Sequence, residues 1–142
     1  MKDKVFLDTN VFIYSIDTSP AQKHKGDIAR QLVKQHVRDG SGVISIQVLQ
    51  EFYRVSTEKI EAPLSTEAAL EYMHYVAVLE TVHPDFSMLV AAIRLHKKLK
   101  ISFWDALILQ AASSSDCTLL LTEDMQAGLL VDNPVVKNPF LS

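Results

Sequence analysis

KVFLDTNVFIY, residues Lys4–Tyr14, is the stretch from which the fold of this chain can be read. Val5–Leu7 is short, apolar and without alternation, the pattern of a strand buried on both faces, and Asp8 closes it. Four further runs of this kind follow at Gly42–Ile46, Leu79–Val82, Thr118–Leu121 and, more weakly, Val135–Lys137. Helical patterns separate them. Ile28, Leu32, Val33 and Val37 keep helical spacing within 21–39, and Gly40 supplies a stop. Val48, Leu49, Phe52 and Val55 mark a second helix, and Ser65 can cap a third through Ala68–Val78 with Glu67 in its first turn. Phe86–Lys98 and Phe103–Ser114 are the next two. Strands alternating with helices predict parallel strands, right-handed crossovers and an α/β helix–sheet–helix sandwich of three layers. Ligands in such folds bind outside the carboxyl ends of the strands, so the chemistry is expected there.

The 142 residues suit one domain, expected to span 1–142; 48% are apolar and 22% charged, a globular composition. No apolar run approaches the roughly 20 residues of a membrane span. Asp8 interrupts what would otherwise resemble a signal-peptide core, so a soluble, cytoplasmic protein is expected. Cys117, the single cysteine, lies in the apolar stretch CTLLL and reads as a buried small hydrophobe. Net charge is −3, with residues 1–60 at +2 and 61–142 at −5. That balance argues against non-specific nucleic-acid binding and leaves only a local basic patch open.

Four acids fall at strand ends or early in helices. Asp8 follows the first strand, Glu51 lies in SIQVLQEFYRV after the second, Asp105 in ISFWDALILQAA, and Asp124, beside Glu123, in LLLTEDMQAG after the fourth. Each also has an ordinary role open to it. Asp8 or Asn10 can N-cap the helix that follows; Ser102 and Asp105 have capping-box spacing; Thr122 can cap a short helix carrying Glu123 and Asp124. Glu51 can pair with Arg54 one turn on, with Gln47 one turn before. Jointly the acids say more. From Ile101 through Val136 there is no Lys, Arg or His, while Asp116 and Asp132 join Asp105, Glu123 and Asp124 there. Carboxylates gathered without cations repel one another and raise each other's pKa, a conflict that a hard divalent ion, Mg²⁺ or Mn²⁺, resolves. The histidines at 24, 36, 74, 83 and 96 show no zinc-ligand spacing.

KVFLDTNVFIY, SIQVLQEFYRV, FWDALILQAA and LLTEDMQAG, in this order and position, resemble the PIN domain, most closely the VapC-like ribonuclease toxins of toxin–antitoxin pairs. The resemblance covers nearly the whole chain; residues 59–85 add nothing to it. It implies a parallel sheet of about five strands and an acidic pocket for Mg²⁺ or Mn²⁺, with Asp8, Glu51, Asp105 and Asp124 as ligands and catalytic acids. Asn10, Ser45, Thr122 and Glu123 fall at the pocket edge, and Glu123 competes with Asp124 for the fourth place. The implied reaction is hydrolysis of RNA phosphodiesters leaving 5′-phosphate and 3′-hydroxyl ends. An antitoxin partner and homodimerisation are implied as well, for which Tyr72, Met73, Tyr75 and Val76 offer apolar surface. An acidic pocket needs cations nearby to hold RNA. Arg30, Lys34 and Arg38 recur every four residues as one stripe with Lys23 two turns earlier, Arg54 shares a helix with Glu51, and Lys97, Lys98 and Lys100 form a second cluster.

Two other classes stay in view. A non-catalytic PIN-like module binding RNA or protein would keep the acids as structure. A receiver-like signalling domain wants a lysine just after a late strand, and none occurs here before Lys137.

Overall fold

A computed structural model describes residues 3–125 and 133–141. β1 (Val5–Leu7) leads into α1 (Thr9–Ile16), a turn of 3-10 helix at Pro20–Gln22, and α2 (Lys23–Asp39). Gly40 ends α2 in the left-handed conformation, φ 66°, its N–H bonded to the carbonyls of His36 and Val37. β2 (Gly42–Ser45), α3 (Ile46–Glu58), α4 (Thr66–Val76), β3 (Glu80–Val82), α5 (Phe86–Leu99), α6 (Phe103–Ser114), β4 (Leu119–Leu121) and β5 (Val135–Lys137) follow. All strands pair in parallel, in the order β3-β2-β1-β4-β5.

This order places the helices. The chain steps outward from β1 to β3 and then returns past β1 to β4. Right-handed crossovers therefore put α1–α4 on one face and α5 and α6 on the other, the three expected layers. α1 packs on α2 and α3, α3 on α4, and α5 on α6. The direction of winding reverses between β1 and β4, and the crevice at their carboxyl ends is where such sheets accept ligands. Phe6, Leu7, Ile44 and Leu120 fill the core from the sheet, with Phe12 and Phe52 from one face and Ile108 and Leu109 from the other. Burying each large apolar side chain contributes roughly 1.5–3 kcal/mol.

The differences from expectation lie at edges and caps. Only β1 and β2 are buried throughout; β3 and β5 are edge strands, with Glu80, Val135 and Lys137 exposed. β2 stops at Ser45 rather than Ile46 because the Ser45 hydroxyl accepts from Val48 N, at 3.4 Å, and opens α3. Asp8, not Asn10, caps α1. Thr122 does not open the expected short helix: Glu123–Met125 are bent rather than helical, the Thr122 hydroxyl accepting from Asp124 N instead; Asp132 lies outside the described residues. Of the apolar residues on α4, Val76 is buried and Tyr72 stacks on Phe52 at 5.0 Å, so both belong to the core; Tyr75 is exposed. Cys117 is fully buried, which pushes its thiol up to about 12. Among the described residues no helix is long and apolar enough to cross a membrane.

Candidate active site

Asp8 stands at the carboxyl end of β1 with 6% of its surface exposed, and its side chain is held on both sides. Oδ1 accepts from Thr9 N at 2.7 Å, the N-cap of α1, and Oδ2 accepts from Thr122 Oγ1 at 2.8 Å, just beyond β4. Thr122, fully buried, in turn accepts from Asp124 N at 3.1 Å and Asn10 Nδ2 at 3.3 Å. Asn10 Nδ2 also donates to Asp124 Oδ2 at 3.1 Å, and Asn10 Oδ1 accepts from Glu123 N at 3.2 Å. One network thus ties the ends of β1 and β4 together at the winding reversal, 112–114 residues apart in sequence.

The other two acids arrive on helices. Glu51, in the second turn of α3, accepts from Thr9 Oγ1 at 3.1 Å and from Gln47 Nε2 at 3.0 Å. The Glu51–Arg54 pair open to the sequence is not what forms: Arg54 turns to Glu58, at 3.7 Å. Asp105 lies in the first turn of α6, where its N–H donates to Ser102 Oγ at 3.0 Å, so the capping role and the site position coincide.

The charges of Glu51 and Asp124 act on both Asp8 and Asp105. Burial pushes the Asp8 carboxyl up to about 6; its bonds with Thr122 and Thr9 pull it down, and the charges of Glu51 and Asp124 raise it further. Asp105 is also raised, by burial first, against its bond with Ser102, and then by the charges of Asp124 and Glu51. The charges acting on Asp8 and Asp105 are therefore carboxylates, and the donors opposing them are neutral.

Glu123, next to Asp124, faces different company. Its carboxylate accepts from Tyr14 Oη and Lys25 Nζ, each at 2.5 Å, and the ammonium lies 5.1 Å from the Tyr14 ring centre. Asp124 turns toward the acids and Glu123 toward a cation. The sequence named neither Tyr14 nor Lys25 here, since their partner lies 109 and 98 residues away. Thr9 carried one signal, its place between Asp8 and Asn10. Ser45 caps α3, and none of its hydrogen bonds reaches an acid.

The basic stripe lies elsewhere. Arg30 donates to Asp27 at 2.7 Å and to the Ser15 carbonyl at 3.4 Å, roughly 10 Å along α1 from Asp8. Arg30 and Lys34 line an apolar groove of about 620 Å³ with Ile16, Leu64, Tyr72 and Tyr75. Arg38 reaches its neighbour Asp39 at 3.4 Å. Arg54 and Glu51 instead share a second groove, of about 540 Å³, with Gln47, Gln50, Lys59 and Trp104.

The donor set suits a hard cation, with four carboxylates, two threonine hydroxyls and an asparagine amide, and neither imidazole nor thiolate. As placed, no three acid, imidazole or thiol side chains among the described residues form a ready-made metal cage. Asp8, Glu51 and Asp124 are each engaged by the neutral donors just named.

Comparison with known proteins agrees with this architecture. No curated protein matches the chain in sequence. The DNA-bound VapBC of Salmonella typhimurium is similar in structure, with a TM-score of 0.68 at 18% identity over 97% of this chain and 99% of the other. A toxin–antitoxin complex from Klebsiella pneumoniae gives 0.66 at 15%, over 96% and 98%. Mycobacterium tuberculosis VapC20, a toxin that cleaves the sarcin–ricin loop, gives 0.64 at 16%, over 82% and 87%. These likenesses establish a shared fold. The PIN-domain family model matches residues 5–127, nearly the whole chain, and the chain belongs to the PIN-domain family.

Proposed function

We propose that the chain is a metal-dependent endoribonuclease, acting as the toxin of a toxin–antitoxin pair and held in check by an antitoxin partner. The observation that carries this reading is the linkage of Asp8, Glu51 and Asp124 through Thr9, Thr122 and Asn10 at the winding reversal, with Asp105 near enough that, after burial, the charges of Asp124 and Glu51 raise it. Structural neighbours that are a VapBC complex and a sarcin–ricin-loop-cleaving toxin support the same class.

In this mechanism Asp8, Asp105 and Asp124 would hold Mg²⁺ or Mn²⁺, with Glu51, one methylene longer, reaching in from α3. Bound there, the ion supplies an acidified water and charge neutralisation for the phosphoryl oxygens. The chain's own residues prepare the place. Thr122 and the Thr9 amide fix both Asp8 oxygens, Asn10 orients Asp124, and Thr9 and Gln47 aim Glu51. Asp105 sits beside a helix N-terminus, whose dipole favours its charged form. Cleavage of structured RNA by the purified protein with Mn²⁺ tests the reading, against EDTA and Asp8→Asn controls. Activity is expected in the first sample alone, and equal cleavage in all three would overturn it.

The absence of a ready-made cage among the described residues favours one rival, a non-catalytic RNA- or protein-binding module. Calorimetry separates the two: the nuclease binds Mn²⁺ with an affinity that Asp8→Asn abolishes, and the rival binds none.

A further inference from the structure

Trp104 is the chain's only tryptophan, and it is 63% exposed, one residue before Asp105. Its ring is buttressed rather than loose: Phe103 packs edge-on against it at 5.2 Å, and His96 braces Phe103 from behind at 6.3 Å. Gln47 Nε2 donates both to the Trp104 carbonyl, at 3.4 Å, and to Glu51, at 3.0 Å, tying the start of α6 to the acid on α3. The groove between them is lined by Gln47, Gln50, Glu51, Arg54, Val55, Lys59 and Trp104. Two of these side chains, Arg54 and Lys59, are cationic and one, Glu51, is acidic, so charge favours an anionic occupant. A planar, hydrogen-bonding, anionic ligand would find a flat ring, two amides and two cations. Arg54 and Glu58 are 70% and 63% exposed at 3.7 Å, a weak pair that Arg54 can exchange for a phosphate. Lys59 follows Glu51 by about 12 Å along the helix.

We infer that this groove seats an unpaired nucleotide next to the scissile phosphate. Its base stacks on Trp104, Gln50 meets the base edge, and the flanking phosphate lies against Arg54 and Lys59. The inference rests on the ribonuclease reading and adds a subsite to it: a stacking platform at Trp104 for the base beside the cleavage site. A duplex keeps its bases stacked on one another and presents no free face to the indole, whereas single strands and loops do.

The single tryptophan makes the test direct. Metal-free wild-type protein is titrated with a fluorescein-labelled single-stranded RNA of mixed sequence and with the blunt duplex of that RNA. Indole emission and RNA anisotropy are followed together. Single-stranded RNA is expected to bind and quench Trp104, and the duplex to do neither. Trp104→Ala should weaken single-strand binding roughly ten-fold, and Trp104→Phe should restore most of it. Arg54→Ala with Lys59→Ala should flatten the slope of log affinity against log salt by about 0.7, the one-phosphate value for single strands. Binding by anisotropy without quenching, with Trp104→Ala equal to wild type, overturns the subsite and leaves the ribonuclease reading standing. Absence of both RNA binding and Mn²⁺-dependent cleavage overturns the two together.

Discussion

Asp8 and Asp27 are both aspartates of the α1–α2 half of the chain, and the protein treats them in opposite ways. Asp27 sits in the open on α2 between Lys23 and Arg30, at 2.8 and 2.7 Å, and these cations, Lys23 first, hold its carboxyl below the usual range. Glu80 with Lys4, at 2.9 Å, and Glu123 with Lys25 follow the same pattern of an acid given a cation. At the carboxyl rim of the sheet the acids are given threonines, an asparagine and a glutamine instead. Asp8 rises to about 6 there. The lesson is that acids were not gathered at the rim for folding stability: a nearby lysine would have served that better. Neutral donors orient a carboxylate without neutralising it, which leaves its charge available to a cation from solution.

Asp8→Asn breaks this contrast most deeply. The folded carboxyl titrates near 6 against about 3.9 in the unfolded chain, so the folded state holds the proton more tightly in between. Stability from this group is complete below about pH 4 and is lost as pH rises through 6, a cost of up to about 3 kcal/mol at neutral pH. In EDTA, denaturant unfolding of wild type should therefore show falling stability from pH 4 to 7. Asp8→Asn should flatten that fall and unfold later than wild type at pH 7.5. An unaltered pH profile would mean the charged form is not held at a cost.

Thr122→Ala is expected to rank next. It leaves a buried Asp8 oxygen and the Asp124 amide short of a partner, a loss of roughly 1–3 kcal/mol, and should lower Mn²⁺ affinity about 10–100-fold. Thr122→Ser keeps the hydroxyl and should recover most of both. If Thr122→Ala matches wild type in calorimetry and unfolding, the network does not orient the acids.

The clamp and the open surface give the smallest effects. Lys25→Met converts Glu123 to an acid without a cation and should cost about 1 kcal/mol at low salt, shrinking as salt rises because the pair is partly exposed. Asp27→Asn should leave the unfolding midpoint unchanged. Reversal of that order would show that the rim and the surface differ less than their surroundings imply.

Much of this architecture is legible along the chain because its causes are local. Capping is decided within three residues, so Ser65 and Ser102 could be read from their spacing, and the apolar runs marked the strands. Asp105 and Asp124 stand out because Ile101–Val136 carries no cation, a fact of composition, and Asp8 because it closes the first strand. Spacing could not choose between Asp8 and Asn10 as the cap of α1, which depended on side-chain orientation.

Tertiary packing decided the rest. Adjacent residues Glu123 and Asp124 differ in what each meets: Glu123 reaches Tyr14 of α1 and Lys25 of α2, Asp124 reaches Asn10 one turn earlier on α1, across about a hundred residues. Helical period told that Arg30, Lys34 and Arg38 share a stripe; only the packing of α2 on α1 turned Arg30 and Lys34 toward the apolar groove. The same packing left Arg54 beside Trp104 and Glu51. Local sequence determines which groups a segment can offer, while the crossovers between parallel strands determine which of them meet.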